Sequence, residues 1–204
     1  MKVFFRRWAQ IIERLIGVRG TVYDQEIWNK QYQRGTWDVL GSKENAGRYE
    51  KIVGLINMFS KGSKILDVGC GHGVVYKHIG DRFKKNYLGT DISDVAIKKA
   101  KKKHPGGRFM QADMVDYKTK EKFDVVIFNE TLYYLEKPLK IVDKYMRFLA
   151  VDGILLVSMY LANLVAFTIW LRLIIKYKFI KIYIHRKNGK AWAVTVFRSN
   201  NSKA

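Results

Sequence analysis

The chain reads as a doubly wound α/β fold: a seven-stranded sheet, mostly parallel, closed by a C-terminal antiparallel hairpin. Three observations carry that reading. Lys64-Ile-Leu-Asp-Val-Gly-Cys-Gly-His-Gly73 is a short apolar strand that runs into a glycine-rich turn, the opening of a Rossmann-like unit. Apolar runs then alternate with helical segments through the middle of the chain, as βαβ units do. Near the end, Ile180 to Lys187 and Lys190 to Arg198 alternate in hydrophobicity around Asn188-Gly189, a two-residue hairpin turn.

Taken in order, residues 1–19 set Phe4, Trp8, Ile11, Ile12, Leu15 and Ile16 at helical intervals, with Arg6, Arg7, Arg14 and Arg19 between them. This is a basic amphipathic helix, suited to packing on its own domain or to lying in a bilayer interface. Tyr23 to Asp38 is aromatic and polar, and Glu44 to Ser60 is a helix that breaks at Gly62. Ile65, Leu66 and Val68 form the first strand, and Gly69, Gly71 and Gly73 let the turn take conformations closed to other residues. A second strand, Asn86 to Asp91, ends in a carboxylate 24 positions after Asp67. The helix after it carries Lys98-Lys-Ala-Lys-Lys-Lys-His104, a solvated outer face. Arg108 to Asp113 is a third strand and Phe123 to Asn129 a fourth, emptying into the loop Asn129-Glu-Thr-Leu-Tyr-Tyr134. Pro138 begins a helix to about Leu149, Asp152-Gly153 ends it, and Gly153 to Ser158 is the fifth strand.

Tyr160 to Lys176 is apolar nearly all round, and no charge occurs for 18 positions from Ile154 to Leu171. A membrane span is rejected, because the first third of that run is needed in the sheet and the remainder is too short for ~30 Å of hydrocarbon. It predicts an exposed apolar helix that lines an acceptor pocket, forms a dimer seam or rests on a membrane, with Arg172, Lys176, Lys178 and Lys181 suited to headgroups. The chain therefore divides into a cap over 1–47 and a main domain over 48–204 with an apolar helical insert at 160–176.

Composition sets the limits. The 204 residues suffice for one domain with a real core, and 48% hydrophobic content excludes disorder. One cysteine forbids an internal disulfide, and no cleavable signal pattern is seen, so a cytoplasmic location is expected. The net charge of +20, from 38 basic and 18 acidic residues, favours anionic partners: nucleic acid, acidic lipid headgroups or phosphorylated glycans.

The glycine spacing is Asp-x-Gly-x-Gly-x-Gly, not Gly-x-Gly-x-x-Gly. Asp67, just before the first glycine, would repel a pyrophosphate and suits a ligand with an ammonium group. With the strand-end acids Asp91 and Asp113 in register, the chain resembles the class I S-adenosylmethionine (SAM)-dependent methyltransferases over about Arg48 to Arg198. The resemblance implies that Tyr32, Asp67, Gly69, Cys70, Gly71, Gly73, Asp91, Ile92, Asp113, Met114 and Asn129 hold SAM, leaving S-adenosylhomocysteine (SAH) as product. In it, Asp91 meets ribose hydroxyls, Asp113 the adenine amino group and the Met114 amide a ring nitrogen. Cys70 reads as a small buried residue, not a nucleophile, and His72 as a loop residue near the methionine end. The aromatic segment resembles the cap of small-molecule methyltransferases, with Tyr32 and Trp37 facing the site and Trp28 in the core. No metal is called for.

Glu130 and Tyr133 are the expected catalytic pair. Glu130 reads as a base, as an anchor for an acceptor amine, or as a capping residue of the loop, and Tyr133 as orienting the acceptor. Tyr160 and His185 are further pocket candidates, His185 fitting better as a strand residue of the hairpin. Two nucleic-acid branches are disfavoured: the Asn129 loop has no proline pair, and no cysteine follows the fourth strand. The loop is more similar to sugar and small-molecule enzymes, including the nodulation N-methyltransferases. The resemblance thus implies methyl transfer to O or N of a small, anionic molecule, a sugar or a lipid-linked glycan, with peripheral membrane contact through 1–19 and 160–176 and a homodimer as further expectations. The alternatives are an RNA methyltransferase using the basic surface and a SAM-binding partner protein without catalysis.

Overall fold

The computed structural model describes residues 22–198, so the amphipathic segment 1–19 lies outside the described residues. Helix α1 (Gln25–Gln33) starts at Asp24, whose side chain accepts from the Ile27 amide, and a 3₁₀ turn at Asp38–Gly41 leads to α2 (Lys43–Phe59). The sheet then begins with β1 (Ile65–Val68), followed by the short helices α3 (Val74–His78) and α4 (Asp81–Lys84). Next come β2 (Tyr87–Asp91), α5 (Asp94–Lys103), β3 (Arg108–Gln111) and β4 (Phe123–Asn129). The chain ends with α6 (Pro138–Met146), β5 (Leu149–Tyr160), α7 (Leu164–Lys176), β6 (Lys178–Lys187) and β7 (Lys190–Arg198).

The seven strands lie in the order β3-β2-β1-β4-β5-β7-β6. The first five run parallel, and β7 is antiparallel to both β5 and β6. The chain leaves β1 in one direction toward β2 and β3 and returns on its other side with β4. That reversal opens a crevice beyond the carboxyl ends of β1 and β4, the place where doubly wound sheets bind ligands.

Successive strand residues face opposite layers, and both layers are covered, which is why the central strands read as unbroken apolar runs. Ile65, Val125, Ile127, Ile154, Leu156 and Val194 face α2, α3 and α5. Leu66, Val68, Val126, Phe128, Leu155 and Val157 face α6 and α7.

Two local expectations change. Asp152-Gly153 does not separate α6 from β5; it sits inside the strand, where the register with β4 slips between Phe123 and Val125. Asp152 takes a left-handed φ of 61°, and a Cβ on Gly153 would come within 3.0 Å of two backbone oxygens, so these residues make a bulge. The segment 160–176 also divides in two. Asn163 caps α7, whose Ala166, Ile169 and Leu173 are buried in the second core layer, while Leu164, Phe167, Leu171 and Ile175 form an exposed stripe on the other side. Among the described residues no helix is long and apolar enough to cross a membrane.

The two sides of this packing differ in cost. Leu156→Ala, fully buried at the sheet centre, is expected to lose ~2–5 kcal/mol. Ile175→Ala, 78% exposed on α7, should stay within ~0.5 kcal/mol of the parent. Urea midpoints of the two variants measure the contrast, and equal losses would remove the assignment of α7's two faces.

Candidate functional site

A cavity of about 420 Å³ lies over the β1–β4 crevice. Its floor is the turn after β1. Gly69, Gly71 and Gly73 have φ of 72°, 56° and 84°. The turn is tied to β2: the amides of Gly69 and Cys70 both donate to the Thr90 carbonyl at 2.7 and 2.9 Å, and the Gly71 amide donates to Asp91 Oδ2 at 2.9 Å. A Cβ on Gly71 would stand 2.7 Å from the Tyr32 hydroxyl, so the turn and the cap helix α1 already touch.

Asp67, Gly69, Cys70, Gly71, Asp91, Ile92, Asp113, Met114, Asn129, Glu130, Tyr133 and Tyr32 all line this cavity. Asp113 stands in the turn just past β3, where its Oδ1 accepts from the Val115 amide at 2.7 Å. Gly73 does not line the cavity. It backs the turn, where a Cβ would meet His104 at 2.8 Å, so its part is conformational. Tyr160, Trp37 and His72 are also in the wall, whereas His185 is not; it packs outside, its ring 5.8 Å from that of Trp192. No residue of α7 lines the cavity, which removes the acceptor-pocket reading of that helix. Trp28, expected in the core, belongs to the wall as well.

The roof is aromatic. Trp28 packs against Tyr23, Trp37 and Tyr134 with ring centroids 5.5, 5.7 and 4.8 Å apart. Each such pair contributes ~0.5–1.5 kcal/mol beyond its burial. Polar clamps fix the cap to α5: Asn29 donates to Asp94 at 2.7 Å and accepts from the Ser93 hydroxyl at 2.6 Å, and Lys99 Nζ donates to the Tyr32 carbonyl at 2.6 Å.

Electrostatically the floor is acidic and costly. Burial raises Asp67 to about 7, offset in part by the Tyr87 hydroxyl donating at 2.6 Å. Burial likewise raises Asp91 to about 6, against the Ser93 and Gly71 amides that stabilise its anion. Burial also holds the Cys70 thiol well above its ordinary value, so it stays protonated and is no nucleophile. His72 is pushed down to about 4, first by burial and then by Lys103, so it is neutral at physiological pH.

At the end of β4, Glu130 is held with φ 62°, a strained backbone for a non-glycine residue. Its Oε1 accepts from Ser158 Oγ at 3.2 Å and pairs with Arg48 Nη1 at 3.3 Å, while Oε2 accepts from Tyr133 at 2.9 Å. Arg48, Tyr49, Lys190 and Trp192 also line the cavity and were not singled out from sequence. A signal for Arg48 did exist: at helical spacing it shares the buried row of α2 with Ile52 and Ile56, a cation where an apolar residue belongs.

Buried polar atoms without a partner gather here. Among the described residues they are Arg48 Nε, Asp67 Oδ1, His72 Nδ1, Asn129 Oδ1, Thr131 Oγ1 and Arg198 Nε, and all but the last belong to residues of the cavity wall. Unpaired buried groups cost ~1–3 kcal/mol each, so their convergence marks a surface completed by a ligand.

A family model described as a methyltransferase domain matches residues 43–201. Trans-aconitate 2-methyltransferase of Acidovorax sp. is 33% identical over 96 residues, 47% of this chain and 37% of the relative. Malonyl-[acyl-carrier protein] O-methyltransferase 1 of Ilyobacter polytropus is 26% identical over 141 residues, 65% of this chain and 51% of the relative. The match thus spans 37% to 51% of the length of these curated relatives. Among solved structures, the N-methyltransferase NodS from Bradyrhizobium japonicum with bound SAH is similar with a TM-score of 0.72 and 18% identity, over 85% of this chain and 98% of that one. Magnesium protoporphyrin IX methyltransferase from Synechocystis with bound SAM gives 0.64 and 15%, over 88% and 99%.

The buried acids set a dependence on pH. Between about pH 4 and 7 the folded, ligand-free protein keeps protons on Asp67 and Asp91 that unfolded carboxyls have released, so their contribution to stability falls as pH rises through that window. His72 acts oppositely between about 4 and 6.5, because the unfolded chain holds the proton there. Asp67→Asn removes its own share of the first effect and leaves that of Asp91. Relative to the parent it should gain on the order of 2–4 kcal/mol more at pH 8 than at pH 4, read from denaturant midpoints. A difference that does not change with pH would reject a buried, titrating Asp67.

Proposed function

The chain belongs to the methyltransferase-domain family, and on that premise we propose that it is a class I SAM-dependent enzyme that methylates an oxygen or nitrogen of a small, anionic acceptor at the acidic face of a membrane. The observation that carries the transfer reading is the crevice itself. Its residues fit the cofactor on structural grounds: the left-handed glycines leave backbone where side chains would intrude, and Asp67 Oδ1 and Asn129 Oδ1 are buried acceptors awaiting donors. We assign Asp91 to the ribose hydroxyls, since each of its oxygens accepts one amide and keeps a lone pair free. Asp67 and Asn129 would meet the ammonium end, Asp113 and the Met114 amide the adenine, and Tyr32 and Cys70 the walls between. When bound, SAM supplies a methyl group on a positively charged sulfur, whose departure as a neutral thioether needs no acid.

The protein's own residues then orient the acceptor and keep water away. The aromatic roof excludes solvent, and Tyr133 and Glu130 shape the side where the acceptor enters. Sugars and lipid-linked glycans fall within this class, and the similarity to a trans-aconitate and a malonyl-[acyl-carrier protein] methyltransferase supports an anionic acceptor. The membrane part rests on the +20 charge and on the exposed α7 stripe of Leu164, Phe167, Leu171 and Ile175. An RNA acceptor is the second reading, kept by the same charge and by a plant tRNA methyltransferase 27% identical over 141 residues. Against it stands a cavity of only about 420 Å³ closed by the cap.

For the cofactor, Asp91→Ala and Gly71→Val should each abolish SAH binding by calorimetry while circular dichroism stays unchanged. Unaltered affinity in either variant rejects the assignment. For the membrane, the protein should sediment with anionic vesicles at low salt. Replacing Phe167, Leu171 and Ile175 together by Ser should lower that binding at least about tenfold. Equal binding by the parent and the triple variant would sever α7 from the membrane.

A further inference from the structure

We propose that the group methylated is a carboxylate held by Arg48, and that Glu130 is a positioning residue that braces Arg48 and Tyr133. The inference rests on the methyl-transfer reading above and names its acceptor chemistry. It begins with Glu130, whose carboxylate is already engaged by Arg48, Ser158 and Tyr133 in one buried network. A base with three of its four lone pairs committed to donors is poorly placed to take a proton from an acceptor.

The neighbouring candidates do not replace it. His72, pushed down to about 4, has little affinity for a proton at neutral pH. Tyr133 donates its own proton to Glu130, and burial with that neighbouring carboxylate holds the phenol far above its ordinary value. The Cys70 thiol stays protonated too, and Asp67 and Asp91 are bound into the turn at the cofactor end. The nucleophile must therefore arrive without a proton to lose. A carboxylate does so at neutral pH, whereas a hydroxyl and an alkylammonium do not.

Arg48 supplies the complement. It is 2% exposed and lines the cavity. Its Nη1 is spent on Glu130 and its Nη2 on the Tyr49 hydroxyl at 3.1 Å, but its Nε has no partner. The indole of Trp192 stands 5.5 Å away and fixes the guanidinium plane from the β7 side. Charges pair locally as well: at the acceptor end Arg48 and the sulfonium face Glu130 and the incoming carboxylate. In the transfer, a carboxylate oxygen forms the new bond to the methyl carbon as the carbon–sulfur bond breaks. The electron pair of that bond stays on sulfur, and no proton moves. The product is a methyl ester.

The test uses SAH-loaded full-length protein and small probes: acetate, malonate and benzoate, each against its amide. Binding is read from the indole N–H signal of Trp192 in NMR titrations, assigned with Trp192→Phe. At least one acid should bind roughly tenfold or more tightly than its amide, as a charge-assisted hydrogen bond allows. Arg48→Met should lose that preference while still binding SAH. Glu130→Gln, whose one amide oxygen can still accept from Arg48 while its NH2 faces the Tyr133 oxygen as a donor, should keep it, and Glu130→Ala should not. The proposal is overturned if no acid is preferred, if Arg48→Met retains the preference, or if Glu130→Gln behaves like Glu130→Ala. Loss of SAH binding by the parent protein would instead defeat the methyl-transfer reading beneath it.

Discussion

Between Val68 and Val74 the backbone passes through three left-handed glycines, and nearly everything at the functional end of the molecule is referred to that passage. The amides of Gly69, Cys70 and Gly71 are committed to the end of β2 through Thr90 and Asp91, so the turn cannot move without breaking those bonds. The same bonds orient Asp91, whose other oxygen is fixed by the Ser93 amide. A turn without side chains is what permits the cap to descend until the Tyr32 hydroxyl almost meets the Gly71 backbone. The steric allowance at one turn thus sets the depth of the cavity and the height of its roof.

The cavity stores an electrostatic cost. Buried carboxyls at Asp67, Asp91 and Glu130 are all raised by desolvation, and each is held by donors that partly offset it. Asp67 leans on Tyr87, Asp91 on two amides, and Glu130 on a buried arginine. A ligand that brings positive charge and N–H donors to this floor relieves what folding alone leaves unpaid. This is the physical sense in which the crevice is preorganised.

The layer on the other side of the sheet serves a different end. α6 and α7 cover β4 and β5 with Ile141, Val142, Tyr145, Ile169 and Leu173. α7 has apolar residues to spare, and those beyond the core remain on the surface as a stripe. The stripe itself lies outside the cavity wall, while the helix that carries it packs on the turn Leu132–Tyr134, whose two tyrosines line the cavity.

Much of this was legible from residue order alone. The glycines of the β1 turn, the acids at the strand ends and the Asn188-Gly189 hairpin are local signals, because backbone conformation at a turn and side-chain alternation along a strand depend on neighbours within a few positions. The bulge at Asp152-Gly153 was misread as an end because a glycine that breaks a helix and one that kinks a strand look the same in sequence. Likewise, an all-round apolar run cannot say which of its faces is buried; the packing of Ala166, Ile169 and Leu173 settled that. The pairing of Arg48 with Glu130, and the arrival of Trp192 beside them, are beyond any local pattern. Those side chains come from α2, the end of β4 and the hairpin, and their meeting depends on how the sheet stacks its distant strands. Residue order fixed where the chain turns and which ligand end the turns suit, whereas the acceptor side was decided by tertiary packing, since burial and long-range charge pairing exist only once the layers have closed.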